Sequence, residues 1–504
     1  IPSRPAGGPA PPLRPATTPP LTPAATPTTT TPPVTATVES ALLVTSQPRP
    51  SPTTTPPLDG PERQLARQLH RIGAGYSLVV AHGEQAVERW LLPTDRPATI
   101  GRHAGSIAPD VNLHPDRRAS REHARIWSAD HFWWIEDAGS KHGTRVDGRM
   151  IEARQPTVLL PWSEIRIGDT TLFLAPPGWR RVHARDLVVD LEIVGAVSPS
   201  LVQAGLPIVR RMVARGRDTV TRPPGRVEIA LRPCFGPVRV EIPALPRGAS
   251  AALTLPPIVP SYDVLEGQVE RSRRRLSVAI DEQTQRGDPI ECWLLPYNEW
   301  STLPEHRQAL ATFVLPNHPS VVALASEVMK TVDPDGSVEQ VFATLFDVLA
   351  QRWHLTYRLE PPHWANDSQK VRLPHEVLAD DGARHGEGTC LDLVLLVAAC
   401  LENLGLQPLV AVVDVGEWWH ALVGCWDPAA PGLESLLFDS GNLLNGAIWV
   451  DPTCATRDER MRRPFAAARA EAERYLADEA LIFALDVVAA RREEIMPLPF
   501  AGLP

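Results

Sequence analysis

The side chains best suited to holding a phosphate dianion are Arg102, Ser120, Arg121, Lys141 and His142, in three short blocks: Ile100-Gly101-Arg102, Ser120-Arg121-Glu122-His123-Ala124-Arg125-Ile126 and Ser140-Lys141-His142-Gly143-Thr144. A planar guanidinium and a hydroxyl give charge-assisted hydrogen bonds to phosphate oxygens, and further cations support them. Arg102 and Ser120 fit the first two roles, Arg121 and Lys141 the third. His123 precedes apolar Ala124 and Ile126, so it is expected to pack inside the loop scaffold. A second set is Cys390, His420 and Asp451, separated by 30 and 31 residues. In that order they suit acyl transfer: a thiolate attacks, an imidazole carries the proton and a carboxylate orients the ring. Bland readings stand beside this one. A cysteine on an apolar helix is often a small core residue, His420 beside Trp418 and Trp419 can be a core histidine, and Asp451 in Asp-Pro-Thr can cap a turn.

These groups need elements to place them. Residues 77–174 alternate apolar and polar in short runs broken by Gly, Asp and Pro, the pattern of a β-sandwich closed by Pro176-Pro177-Gly178. A second small β-sandwich is expected over 183–315, with strands such as 227–231 and 238–242 and a helix near 201–215. From 316 to 504 the texture becomes α+β: helical periods at 320–354, an apolar helix at 390–404, strands at 408–414, 419–426 and 447–451, and a closing helix over 465–493 with a break near Asp478. Thr389 and Asp392 form a box-like cap that puts Cys390 in the first helical turn, where the helix N-terminus favours a thiolate. Gln369 is a candidate second oxyanion donor beside the Cys390 N–H.

Composition bounds the remaining options. The chain has 504 residues, enough for about three domains. Residues 1–60 hold 17 Pro and 14 Thr with no aromatic residue, and read as a disordered tail with polyproline character. Thr18, Thr22, Thr26, Thr31 and Thr55 each precede a proline, a pattern accessible to kinases and a candidate ligand for the phosphate-type blocks, but a plain spacer is the favoured reading. A short amphipathic stretch at 62–72 suggests a helix. The net charge of -9 makes direct nucleic-acid binding an unfavoured reading. No run of about 18 apolar residues suggests a membrane span. Six scattered cysteines without CxxC pairing point to reduced thiols in a cytoplasmic protein and to no zinc site. No GxxxxGK[ST] loop occurs, and no cofactor is expected. The chain begins with Ile1, which reads as a fragment or a processed product.

The three phosphate-type blocks, in this order, resemble the forkhead-associated (FHA) family. The resemblance implies a phosphothreonine-binding sandwich over 75–177, with the blocks on loops at one end and a phosphothreonine protein as partner. Position 142 departs from the family, which usually has Asn there to grip the peptide backbone. Gly388-Thr389-Cys390-Leu391-Asp392-Leu393, Trp418-Trp419-His420-Ala421-Leu422-Val423 and Trp449-Val450-Asp451-Pro452-Thr453 resemble a transglutaminase-like, papain-type core over 316–504. That resemblance implies a Cys-His-Asp peptidase or acyltransferase. A longer run, from Asn298-Glu299-Trp300 through Val371-Arg372-Leu373-Pro374 to Pro497-Leu498-Pro499, looks like the front portion of large bacterial helicase-related proteins. It implies a bacterial, defence-related setting with a helicase-related motor protein as partner; a Ser/Thr kinase is a separate expected partner. The leading expectation is a phospho-dependent effector or adaptor; the rivals are a non-catalytic scaffold and a regulatory subunit of a nucleic-acid-processing or defence system.

Overall fold

The computed structural model describes residues 75–499 apart from 82–88, 104–107, 130–131, 218–219, 257, 282, 285–289, 333–335, 360–367, 380–384, 417–418, 427–433, 439 and 478–479. The Pro/Thr-rich tail, its Thr-Pro sites, the stretch at 62–72 and Trp418 lie outside these residues. Among the described residues the first module has eleven strands: β1 (Ser77–Val80), β2 (Arg89–Leu91), β3 (Ala98–Gly101), β4 (Val111–Asn112), β5 (Ala124–Ala129), β6 (Phe132–Asp137), β7 (Thr144–Val146), β8 (Arg149–Met150), β9 (Thr157–Leu159), β10 (Glu164–Ile167) and β11 (Thr170–Ala175). They form two sheets, ordered β2-β1-β11-β10-β7-β8 and β4-β3-β5-β6-β9. Strands such as β10 bury every second residue, as a sheet with one wet face requires. Leu78, Ile100, Ile126, Trp133, Ile135, Ile165, Leu172 and Leu174 fill the space between the sheets.

Strand β11 breaks that alternation, with four consecutive buried residues from Leu172 to Ala175. Its second face is covered by the next module. Val79, Ala81, Trp162, Phe173 and Ala175 pack with Trp179 and Val213 in a separate cluster. Trp162 and Phe173 stack with centroids 5.3 Å apart, and Arg215 lies 4.7 Å over the Phe173 ring. Beneath this seam Asp190 is fully buried. It accepts from Arg181 and Arg215 at 2.8 Å each and from the Trp179 indole at 3.1 Å. The Arg181 guanidinium also donates to the Val80 carbonyl across the seam, at 2.9 Å.

The second module pairs Trp179–His183, Leu187–Ile193, Val209–Gly216 and Ser250–Ala252 in one sheet, and sets Gly225–Leu231, Phe235–Ile242, Ser272–Ile280 and Ile290–Leu294 in another. Its core is one cluster that includes Val189, Leu191, Ile229, Val240 and Val278. The helix expected near 201–215 is short, Pro199–Gln203, started by the Ser198 side chain accepting from the Leu201 N–H. Residues 209–216 are strand instead. There Met212, Ala214 and Val209 join the core, so tertiary packing overrides a locally ambiguous pattern.

The last module is helices on both faces of a five-stranded antiparallel sheet. Its order is Leu436–Leu437, Leu481–Asp486, Pro408–Asp414, Trp419–Trp426, Ala447–Val450. Val410 and Val412 face the apolar helix Cys390–Asn403. Leu409, Ala411 and Val413 face Ala472 and Leu476 of helix Phe465–Ala477. The single closing helix expected over 465–493 is three elements: that helix, the interior strand Leu481–Asp486 and helix Val487–Arg492. The run Leu481-Ile482-Phe483-Ala484-Leu485 is buried throughout, and such a run does not separate helix from strand by periodicity.

Removing one member of a buried ion cluster leaves uncompensated charge, at a cost of about 3–5 kcal/mol. Asp190→Ala should therefore lower the urea-unfolding free energy by about that amount, whereas Glu291→Ala, at an exposed pair with Arg273, should change it by less than about 1 kcal/mol.

Candidate functional site

In the first module the three blocks come together at one end of the sandwich. The β3–β4 loop carries Arg102, the β4–β5 loop Ser120 and Arg121, and the β6–β7 loop Lys141 and His142. Backbone bonds lock the first two: Arg102 N–H donates to the Ser120 carbonyl and His123 N–H to the Ile100 carbonyl, each at 2.9 Å. Gly101 permits the contact, because a Cβ there would stand 2.1 Å from the Arg121 carbonyl oxygen. Lys141 N–H donates to the Ser120 hydroxyl oxygen at 3.2 Å. The hydroxyl proton stays available for an acceptor. Arg102 and Ser120 are half-buried, while Arg121, Lys141 and His142 are exposed. Arg102 Nε reaches the Ala119 carbonyl only at 3.4 Å.

His123 is buried and has the scaffold role expected of it. Nδ1 accepts from Ser120 N–H at 2.9 Å, so Nε2 carries the proton and faces the Gly143 carbonyl at 3.2 Å. One neutral ring ties the Ser120 loop to the 140–143 loop. Burial is the main cause that pushes its pKa down. Sequence reasoning missed the carboxylate behind these loops. Asp137 Oδ1 accepts from Gly139 and Ser140 N–H at 2.9 and 2.7 Å, and Oδ2 from the Ser140 and Thr144 hydroxyls at 2.8 and 2.7 Å. Burial alone would raise its pKa, yet these donors outweigh it and hold the carboxyl below its usual range. Its signal was an Asp two residues before Gly139 and three before Ser140, the composition of an Asx turn.

In the last module the structure brings Cys390, His420 and Asp451 together. Thr389 and Asp392 form the expected capping box: Asp392 N–H donates to the Thr389 hydroxyl at 3.2 Å and Thr389 N–H to Asp392 Oδ2 at 2.9 Å. Cys390 is the first residue of the helix. Asp392 also accepts from the Arg372 N–H and guanidinium at 2.8 and 2.9 Å, fixing the neighbouring segment. Gln369 lies in strand Ser368–Lys370, paired with Trp300. His420 is near the start of its strand, and the register Val423↔Val450 runs Asp451 out beside it. Asp451 does two jobs with two oxygens. Oδ1 caps its own turn, accepting from Thr453 N–H at 3.0 Å and its hydroxyl at 2.6 Å, and Oδ2 meets His420 Nε2 at 2.9 Å.

That leaves His420 Nδ1 for the sulfur. Burial would push the ring's pKa down, but the Asp451 hydrogen bond and the neighbouring Cys390 prevail and push it up to about 10. Cys390 is half-exposed, whereas the other five cysteines are buried. Burial pushes the Cys400, Cys425 and Cys454 thiols up to about 12. Tyr475, which belongs to none of the sequence motifs, lies with its ring 5.5 Å from that of His420.

Residues 98–168 match the family model of the FHA domain. Among solved structures, the chain is similar to the FHA domain of a Chlamydia trachomatis protein, 30% identical over 20% of this chain and 95% of that one, with a TM-score of 0.18. It is also similar to the N-terminal FHA domain of Saccharomyces cerevisiae Rad53p in complex with a phosphothreonine peptide, 20% identical over 20% of this chain and 92% of that one, TM-score 0.18. No curated protein matches the chain.

A buried neutral histidine with a depressed native pKa stabilises the fold above its unfolded value, near 6.5, and that stability is lost as pH falls below it. Unfolding free energy should drop between pH 6.5 and the native pKa with a slope approaching about 1.4 kcal/mol per pH unit from this group. In His123→Gln that slope should be missing, so the difference between the two proteins in urea titrations at pH 7 and pH 5 should shrink; a constant difference would contradict a neutral His123.

Proposed function

We propose that the chain is a phosphothreonine-dependent adaptor whose FHA domain recruits a phosphorylated partner, and that Cys390, His420 and Asp451 perform acyl transfer on it. The observation that carries the recruitment half is the loop cluster itself. A half-buried guanidinium, a hydroxyl whose proton is free and two exposed cations converge on one surface, and a neutral histidine and a saturated carboxylate fix their backbones. Arg102 forks onto two phosphate oxygens, Ser120 donates its O–H, and Arg121 and Lys141 add charge. His142 stands where it can donate to or accept from the peptide backbone.

The catalytic half rests on Cys390 being half-exposed beside a buried imidazole already oriented by a carboxylate. The thiolate attacks an amide or thioester carbonyl carbon, and the carbonyl π electrons move to oxygen, stabilised by the Cys390 N–H at the helix start. Collapse expels the amine or thiol, which takes the proton from His420 Nδ1, and leaves a thioester on Cys390. Water then attacks with His420 accepting its proton, releasing a carboxylic acid and restoring the thiol. If an amine attacks instead, the product is a crosslink. Asp451 keeps the Nε2 proton facing itself throughout, so the ring cycles only at Nδ1.

Two measurements test the halves separately. Isothermal titration with a phosphothreonine peptide library should give micromolar-class binding that Arg102→Ala weakens at least tenfold, one lost charge-assisted bond being worth about 1.5–3 kcal/mol; equal binding of unphosphorylated peptides would refute recruitment. In competitive alkylation by iodoacetamide at pH 6, Cys390 should react at least tenfold faster than Cys400, and His420→Ala should remove most of that advantage, since an isolated thiol is less than 1% thiolate there. Equal rates at the two cysteines would leave a non-catalytic scaffold.

A further inference from the structure

The capping box that fixes the start of the Cys390 helix also places a negative charge there. Cys390 is the first residue of that helix and Asp392 the third. A helix N-terminus presents about half a positive charge, which favours a thiolate in the first turn. A full carboxylate charge in the same turn reverses the sign of that field, and Asp392 is buried, so water does little to screen it. Left alone, the cap that orders the nucleophile's backbone would oppose its ionisation.

The compensating charge comes from another element. Strand Ser368–Lys370 pairs with Glu299–Ser301, and the chain leaving it brings Arg372 against Asp392. Asp392 Oδ2 accepts from the Thr389 N–H and from the Arg372 guanidinium at 2.9 Å each, and Oδ1 accepts from the Arg372 backbone N–H at 2.8 Å. Bonds on either side pin that stretch: Val371 N–H donates to the Asn298 carbonyl at 2.8 Å and Leu373 N–H to the Glu376 carboxylate at 2.7 Å. The Arg372 side chain is only 23% exposed. With it the first turn returns to a net positive charge of about half a unit. Two further carboxylates near this turn are paired as well. Glu387, three residues before Cys390, meets Arg358 at 2.6 Å, and Asp451 meets His420 at 2.9 Å. Arg358 is 59% exposed, so solvent weakens that first pair.

We infer that Arg372 is a positioning residue of the acyl-transfer site: it grips the capping carboxylate at two points and cancels its charge, so that Asp392 orders the helix start without disfavouring a thiolate on Cys390. The inference rests on the acyl-transfer reading above. It gives the two partners opposite electrostatic effects on one sulfur, which a purely structural tie does not. Loss of a tie loosens the helix start whichever partner is removed. Loss of a charge eases ionisation of the thiol when the carboxylate goes and hinders it when the guanidinium goes.

The test is the pH profile of Cys390 alkylation by iodoacetamide in the full chain, for wild type, Asp392→Asn, Arg372→Gln, Arg372→Lys, Arg358→Gln and His420→Ala, with thermal melting to show that each is folded. Asp392→Asn keeps an oxygen for the Thr389 N–H and should move the acid limb down by at least about half a pH unit, about a threefold faster reaction on that limb. Arg372→Gln should move it up by as much. Arg372→Lys, which keeps the charge and gives up the fork, and Arg358→Gln, at the exposed pair, should stay within about twofold of wild type. Asp392→Asn and Arg372→Gln limbs that move in one direction together, or either limb superimposed on wild type, overturn the role of Arg372, and a shifted His420→Ala profile then leaves the nucleophile reading standing. An unshifted His420→Ala profile removes the nucleophile reading and this inference with it. Breaking a buried pair costs stability; should Asp392→Asn melt below the assay temperature, the Arg372 variants decide, and an Arg372→Lys limb that moves up with that of Arg372→Gln overturns the inference.

Discussion

A carboxylate taken out of water must find its hydrogen-bond donors in the protein, and this requirement organises every part of the chain that could act. Among the described residues five aspartates are buried: Asp137, Asp190, Asp392, Asp451 and Asp486. Each is met by fixed donors rather than by solvent. Asp137 gathers the 139–144 loop, Asp190 holds two guanidiniums under the seam between sandwiches, Asp392 caps the Cys390 helix, and Asp451 orients His420. Asp486 accepts from the Trp426 indole at 2.7 Å and caps the last helix through Ala489 N–H at 2.8 Å. An acid with an unfilled lone pair in these places would cost more than a missing hydrogen bond between neutral groups. The loops therefore have few alternative conformations.

Rigid placement is what both candidate sites need. Phosphate binding by Arg102 and Ser120 gains from loops that lose little entropy on binding, and a thiolate gains from an imidazole that is already in place. The seam extends the same logic between modules. Because β11 is buried on both faces, the first sandwich is attached to the second through a packed core and a buried ion cluster, not through a tether. A ligand gripped by the β3–β4, β4–β5 and β6–β7 loops is thereby held at a fixed place on the paired sandwiches.

Much of this was legible in the sequence where side-chain chemistry and local period agree. The alternating strands of 77–174, the apolar helix opening at Cys390 with its Thr389 cap, and strands 408–414 and 419–426 all carry their own patterns. So do the blocks around Arg102, Ser120 and Lys141. What was not legible depends on partners distant in the chain. Leu481–Asp486 reads as helix because an evenly apolar run has no period, and only its pairing with Leu409–Val413 makes it strand. Residues 209–216 became strand for the same reason. The Asp451 reading sharpened differently: turn cap and histidine partner looked like competing roles, and two oxygens allow both.

The central claim is that recognition and reaction act on one partner, and it can be tested by measuring how fast Cys390 is captured by an electrophile tethered to an FHA ligand. A series of peptides with a flexible linker of graded length, ending in a vinyl sulfone, would be compared with and without phosphate on the threonine, following adduct formation at Cys390 by mass spectrometry. Tethering raises effective concentration to roughly millimolar when the linker spans the two sites. The account expects phosphorylation to accelerate capture at least tenfold over a window of linker lengths, and Arg102→Ala to abolish the gain. Equal capture rates with and without phosphate at every linker length would contradict it.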